Sequence, residues 1–414
     1  MPQVTECHDG LQPFSDPSVE VQAQWTLNNL VLKLMARTTQ PFDQRPKDLG
    51  TLAVVEDPHL AEYMMRNPAI FQKNFALVAA LGKSRFNLNG EQWELFRNRT
   101  QPSYNKASRK TERANIAAHY DRAVEAFDPG DMDSVEPLLS NAAMSVFVDA
   151  LGISPDINQI VDLFPQVRIH AKMLQYFSWS GVREPEVLAK RANWLDQRFN
   201  AIFMDDPLSR DFVREAIGGT HPEEWHPAIT DLMQNAFAGT ETTVATLCWA
   251  VRLMGQNRTL QNQLRTEARL GEADTPLLRS FMFEVMRCIP PIPFVVRETK
   301  QAYDGNGVSY PAGQQIILSI IGLHKNPNAW SNPNQFHAAR PEFAPSASTP
   351  KAYRPFLSGP RVCGGKRLAE LEMMSAMTAI LRKWRFSTKV PDVDFEYALA
   401  MRPASFAGVS IEAV

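Results

Sequence analysis

Phe356-Leu357-Ser358-Gly359-Pro360-Arg361-Val362-Cys363-Gly364-Gly365-Lys366-Arg367-Leu368-Ala369-Glu370 is a glycine- and proline-bearing loop that runs straight into a helix-forming stretch. Its cysteine stands just before the helix. A sulfur in that place faces backbone amide donors and the positive end of the helix dipole. Arg361, Lys366 and Arg367 are close in sequence, and all of these features favour thiolate over thiol. A ligating or nucleophilic sulfur needs such surroundings. The same residues also read as a buried cysteine in an ordinary loop, so the rest of the chain has to decide.

The chain has 414 residues, 44% hydrophobic and 21% charged, which is the composition of a globular protein large enough to enclose a sizeable cavity. A formal net charge of -2 supplies no global basic field for nucleic acid or an anionic membrane. The stretch from Met1 to Asn29 mixes proline, acids and amides and lacks the basic start and apolar core of a signal peptide, so a cytoplasmic setting is expected. The longest apolar stretch, Ile316 to Leu323, falls well short of a bilayer span, and no membrane anchor is expected. Cys7, Cys248, Cys288 and Cys363 are far apart and show no zinc or disulfide spacing. The first three read as free thiols, since cysteine packs as a small hydrophobe.

Apolar residues recur at three- and four-residue intervals in Val135 to Leu151, Ile229 to Met254, Leu277 to Arg287 and Arg367 to Lys383. The fold class is mainly α with small β-sheets. Strand signals are short: Gly50 to Val55, Val308 to Tyr310 after the turn residues Asp304-Gly305-Asn306-Gly307, and Ile316 to Ile320. Cys288-Ile289-Pro290-Pro291-Ile292-Pro293-Phe294-Val295-Val296-Arg297 cannot continue a helix and predicts an extended stretch. Prolines 327, 333, 341, 345, 350, 355 and 360 predict a long ordered meander ahead of Arg361. No repeat or low-complexity tract divides the chain, and one domain over 1–414 is expected.

Three further segments carry chemistry. Glu284 and Arg287, three apart, share a helix face, and a carboxylate held between two guanidiniums can pin a long meander in place. In Ala238-Gly239-Thr240-Glu241-Thr242-Thr243, Gly239 removes side-chain bulk from the long helix, and Thr242 can bond back to the backbone and open a helix distortion. Asn89-Gly90-Glu91-Gln92-Trp93-Glu94-Leu95-Phe96-Arg97 is a turn followed by a Trp and an Arg on one helix face. Each also has an ordinary structural reading: a surface ion pair, a solvated acid with a packed threonine, an amphipathic pair.

Taken together, in their order along the chain, these segments resemble those of the cytochrome P-450 superfamily, over roughly residues 60 to 410. Phe356, Gly359, Arg361, Cys363 and Gly365 match its cysteine loop, while Leu357 stands where the family usually has a small residue and Gly364 where it usually has an apolar one. The resemblance implies a triangular helical prism enclosing haem b, with Cys363 as the iron ligand. Trp93, Arg97, Arg297 and Arg361 would bind the propionates, and Ala238, Gly239, Phe356 and Gly365 would lie against the macrocycle. Thr242 and Glu241 would be the catalytic residues that deliver protons to bound oxygen. Glu284, Arg287 and Arg340 would form the structural cluster, and Phe294, Val295 and Phe406 the substrate pocket. A roof between Ile160 and Phe203 carries Met173, Leu174 and Phe177 but no recognisable substrate code. The thiolate push onto iron is a known property of this family itself.

The implied reaction is insertion of one atom of dioxygen into a hydrophobic small organic molecule. No fused reductase is expected, so electrons from NAD(P)H would arrive through a ferredoxin or flavodoxin and its reductase. Lys106, Arg109, Lys110, Lys366 and Arg367 could form the docking patch. Two other readings stay open: a peroxide-driven haem-thiolate peroxygenase, against which Glu241 and Thr242 argue, and a haem-binding sensor without turnover.

Overall fold

Apolar periodicity of 3.6 becomes helix wherever the sequence carries it. The computed structural model describes residues 17–39, 52–74, 82–127, 135–180, 186–217, 226–270, 275–389, 394–406 and 408–414. Cys7 and Gly50 lie outside the described residues. In chain order the helices are α1 (Pro17–Thr39), α2 (Pro58–Arg66), α3 (Gly90–Ala107), α4 (Arg113–Ala126), α5 (Val135–Leu151), α6 (Ile157–Asp162) and α7 (Phe164–Ser180). They continue with α8 (Glu186–Asp205), α9 (Pro207–Ile217), α10 (His226–Gly255), α11 (Arg258–Arg269), α12 (Pro276–Cys288), α13 (Ile320–His324) and α14 (Lys366–Lys383). The four helices expected from periodicity are α5, α10, α12 and α14. Their ends agree within a few residues.

The strands are β1 (Ala53–Val55), β2 (Phe71–Lys73), β3 (Phe294–Thr299), β4 (Tyr303–Gly305), β5 (Val308–Tyr310), β6 (Gln315–Ser319), β7 (Trp384–Thr388), β8 (Phe395–Tyr397), β9 (Met401–Pro403) and β10 (Val409–Ala413). Among the described residues they form one four-stranded sheet in the order β1-β6-β3-β2 and three two-stranded ones. The expected strand 316–320 ends at Ser319, whose hydroxyl accepts the Gly322 amide at 3.0 Å and so starts α13 at Ile320. Asn306 (φ 51) and Gly307 (φ 75) make the tight β4–β5 turn that their sequence signals.

Helix α10 runs through the main core and packs against α5, α8, α14 and β7. It is buried nearly all round, which is why its apolar positions are not confined to one stripe. The four-stranded sheet and α2 bury a second cluster through Phe71, Ile316 and Leu318. Between α13 and α14 lies the meander, which carries two 3-10 turns, Pro341–Phe343 and Gly359–Arg361. Among the described residues no helix is long and apolar enough to cross a membrane.

Candidate active site

The cysteine loop is held by a few specific contacts. The Cys363 amide donates to the Phe356 carbonyl at 2.9 Å, closing the loop at its neck. Gly359 sits at φ 69, and a Cβ there would lie 2.6 Å from the Met65 carbonyl oxygen, so only glycine fits. Leu357 takes φ 61, a left-handed backbone that disfavours side chains, and its side chain packs on the second core cluster. Glu62 on α2 receives Arg354 (2.7 Å) and the Ser358 hydroxyl (2.9 Å). Burial pushes the Glu62 carboxyl up, but bonds from Arg66, Arg354 and Ser358 outweigh it and hold its pKa at about 2.

Gly364 departs from the family pattern for a visible reason. A Cβ there would lie 2.6 Å from Gln101 Oε1 and 3.2 Å from Arg85 Nη1. Side chains from α3 and the preceding loop occupy the space that a residue at 364 would fill.

Cys363 borders a cavity of about 370 Å³ and is accessible there. Burial pushes its thiol above the ordinary value; the Gly365 amide and the cations Arg85, Lys73 and Lys366 pull the other way. The expected net preference for thiolate is therefore corrected: in the protein chain alone desolvation outweighs the positive surroundings.

Lys73, Arg85, Arg97, Arg297 and Arg361 all line the same cavity. Pairing of β2 with β3 sets Lys73 opposite Arg297. Trp93 takes the Arg361 guanidinium at 4.1 Å and that of Arg97 at 5.7 Å from its ring centre. Burial lowers Arg297 to about 10, with Arg361 adding to it, and burial lowers Arg361 to about 10 as well. Lys73 is pushed well down by burial and then by Arg297, Arg361 and Arg85. Buried cations that repel one another are stabilised by an anionic guest.

Above the cysteine loop in sequence, Thr242 donates back to the Ala238 carbonyl at 2.9 Å as its position predicts. Thr243 and Thr246 do the same to Gly239 and Thr242, yet α10 continues unbroken, so the expected distortion is absent from this helix. At Gly239 an added Cβ would meet only Phe147, at 3.7 Å, which leaves room on the cavity side. Glu241 is buried and held by Arg168 from α7 at 3.1 Å, with Arg402 of β9 at 3.8 Å. Glu136 on α5 contacts both arginines.

Of the expected site residues, Trp93, Arg97, Ala238, Gly239, Glu241, Thr242, Phe294, Val295, Arg297, Phe356, Arg361, Cys363 and Gly365 border this one cavity. Glu284, Arg287 and Arg340 meet elsewhere, as a cluster. Both guanidiniums reach Glu284 Oε2 at 2.7 Å, and further donors go to the His324 carbonyl at the end of α13 and to those of Ser331, Pro333 and Gln335 along the meander. Phe406 is a correction: it packs on the main core. The Val409 amide donates to the Phe406 carbonyl at 3.0 Å where β10 begins, and Tyr397, Leu399 and Ala400 reach the cavity instead. Met173, Leu174 and Phe177 likewise fill a side cluster with Ala23 and Leu188, while Val167, Gln175 and Ser178 face the cavity from α7.

Sequence reasoning missed Lys73, Arg85, Arg168, Arg402 and Glu372, all of which act through partners remote in sequence. No local spacing marks them. An accessible thiol, clustered cations and a bare glycine on α10 fit a flat, iron-bearing dicarboxylate cofactor.

The cytochrome P-450 family model matches residues 187–407. Cytochrome P-450 4X1 of Rattus norvegicus is 35% identical over 200 residues, 44% of this chain and 39% of that protein. Taurochenodeoxycholic 6 alpha-hydroxylase of Sus scrofa is 35% identical over 158 residues, 34% of this chain and 31% of that protein. The matched segments thus span well under half the length of these relatives. Among solved structures, a zebra fish cytochrome P-450 with progesterone has a TM-score of 0.71 at 18% identity, covering 87% of this chain and 93% of its own. A six-coordinated cytochrome P-450 of Thermus thermophilus has a TM-score of 0.66 at 17% identity, covering 87% of this chain and 92% of its own. At such identities these show the fold. With the family model spanning more than half of its residues and the shared fold covering most of its length, the chain belongs to the cytochrome P-450 family, whose cofactor is haem.

Proposed function

We propose that this chain is a haem-thiolate monooxygenase, inserting one atom of dioxygen into a hydrophobic small organic substrate with electrons from NAD(P)H. The observation that carries this reading is one cavity bordered by the Cys363 thiol, by Glu241 and Thr242, and by five cations. Cys363 Sγ would ligate the iron, and Arg97, Arg297, Arg361, Lys73 and Arg85 would neutralise the propionates. Bound through a thiolate, haem supplies oxygen activation and cleavage of the O–O bond. Glu241 holds a carboxyl group at the cavity wall under the control of Arg168 and Arg402. The Thr242 hydroxyl, whose proton goes to Ala238, keeps its lone pairs for a donor in the cavity. Phe237, Phe294, Val295 and Leu399 make the wall apolar and exclude water. The named substrate of the pig relative and the progesterone of the zebra fish structure are bulky and largely apolar, which supports a hydrophobic substrate.

Electrons would come from a separate ferredoxin or flavodoxin and its reductase. Lys106, Arg109, Lys110, Lys366 and Arg367 are all exposed, and α3 packs against α14, which supports a common docking face. A cytoplasmic setting belongs to the same proposal. Glu241 and Thr242 favour the monooxygenase over a peroxide-driven enzyme, which needs no proton delivery. Absorption of the reduced, carbon monoxide-bound protein tests the core of the proposal: a strongly red-shifted main band is expected, and its absence, or its persistence in Cys363→Ala, would refute it.

A further inference from the structure

Gln101 lies on α3 and borders the cavity beside the cysteine loop. Its amide nitrogen donates to the Gly364 carbonyl at 3.0 Å and to Asn105 Oδ1 at 3.1 Å. The Gly364 carbonyl can only accept, which favours this orientation of the amide, with its nitrogen towards the loop. The Gly364 carbonyl belongs to the same peptide unit as the Gly365 N–H, and that N–H is among the groups that pull the Cys363 thiol towards thiolate. Gln101 is therefore joined by a hydrogen bond to the one peptide whose N–H acts on Cys363 Sγ. A donor on the carbonyl polarises the peptide and makes its N–H a stronger donor to sulfur.

Glycine at 364 is what lets this chain form. A Cβ there would lie 2.6 Å from Gln101 Oε1, closer than real contacts allow, so any side chain at 364 would move Gln101. The two unusual features, a bare position next to the ligand and a glutamine reaching it from another helix, have one explanation.

We propose that Gln101 is a positioning residue that tunes the electron donation of the Cys363 thiolate through the Gly364–Gly365 peptide. The inference rests on the haem-thiolate reading above. A stronger N–H bond withdraws charge from the sulfur, lowers its push onto iron and raises the reduction potential of the bound group. The device trades donor strength for ease of reduction.

The test is the reduction potential of the purified holoprotein, measured by spectroelectrochemistry, with the carbon monoxide spectrum as a control on ligation. Gln101→Met keeps the side-chain length and removes the donor, and Gly364→Ala displaces Gln101 while leaving it intact. Each is expected to move the potential negative while the thiolate band persists. The double variant is expected to go no further than the larger single shift, because both changes break the same link. Gln101→Glu, an acceptor in place of a donor, is expected to shift the same way. An unchanged potential in Gln101→Met, or fully additive shifts in the double variant, would overturn the proposal. If Gln101→Met does not fold, Gly364→Ala decides by the same measurement. Should the wild type itself lack the thiolate band, the proposed function fails and this inference with it; a normal band with an unmoved potential sinks the inference alone.

Discussion

At the scale of single residues, the cysteine loop shows how far local pattern reaches. Gly359 matches the family's cysteine loop, and the structure supplies the reason: φ 69 and a backbone carbonyl where a Cβ would be. Gly359→Ala is expected to destabilise the protein by about 2 kcal/mol or more, since it adds both backbone strain and a clash that Met65 cannot relieve by a rotamer change. Thermal denaturation together with haem retention measures this; wild-type values for both would contradict it. Cys363 itself was legible, but its ionisation was not. Sequence neighbours such as Lys366 argue for thiolate, whereas desolvation is a property of everything packed around the sulfur, and it wins in the chain alone. Lys73 and Arg85 were illegible for the same kind of reason. Each is a lone basic residue until strand pairing or loop packing brings it to the cavity.

At the scale of elements, α10 brings Glu241 and Thr242 to the cavity, α14 follows the Cys363 loop, and one cluster holds the meander. Glu284 on α12 is fully buried between Arg287 and Arg340. Glu284→Ala would leave two guanidiniums buried without their carboxylate, and a loss of about 3–5 kcal/mol is expected, with the meander and the cysteine loop released together. Chemical denaturation and haem loss check it; a loss below about 1 kcal/mol would show that the meander is held by its backbone contacts alone. On α10, Glu241→Gln keeps the shape of the side chain and removes the ionisable proton. Substrate oxidation is expected to fall roughly a hundredfold, with uncoupled oxygen consumption less affected. Equal falls in both rates would instead place the defect in cofactor reduction. The resemblance of the α10 segment to the family's pointed to Glu241 and Thr242, because both belong to one short motif on one helix. It could not identify Arg168 and Arg402, which come from α7 and β9.

At the scale of the whole molecule, buried titratable groups set how stability depends on pH. Burial raises Glu372 from 4.5 to about 8, against a hydrogen bond from the Tyr120 hydroxyl at 2.7 Å. Its carboxyl is neutral when folded, so the stability it contributes is complete below 4.5 and is lost as pH rises towards 8. His170 is lowered to about 4 by burial, then by Arg191, and His324 to about 3 by burial, then by Arg287. Both are neutral when folded, and their contribution is lost as pH falls below 6.5. Between 6.5 and 8 the Glu372 contribution falls while those of the two histidines stay constant, so wild type is expected to lose stability relative to Glu372→Gln across that interval. Melting temperatures at the two ends of the interval measure the difference; parallel curves would remove Glu372 from the account. Helix positions, the meander, the cysteine loop and the acid and threonine of α10 were written in residue order, because each depends on neighbours a few positions away. Which α7 residues face the cavity, why Phe406 does not, where the cations gather and how Gln101 reaches the ligand loop depended on packing, because those contacts join residues that the chain sequence keeps far apart.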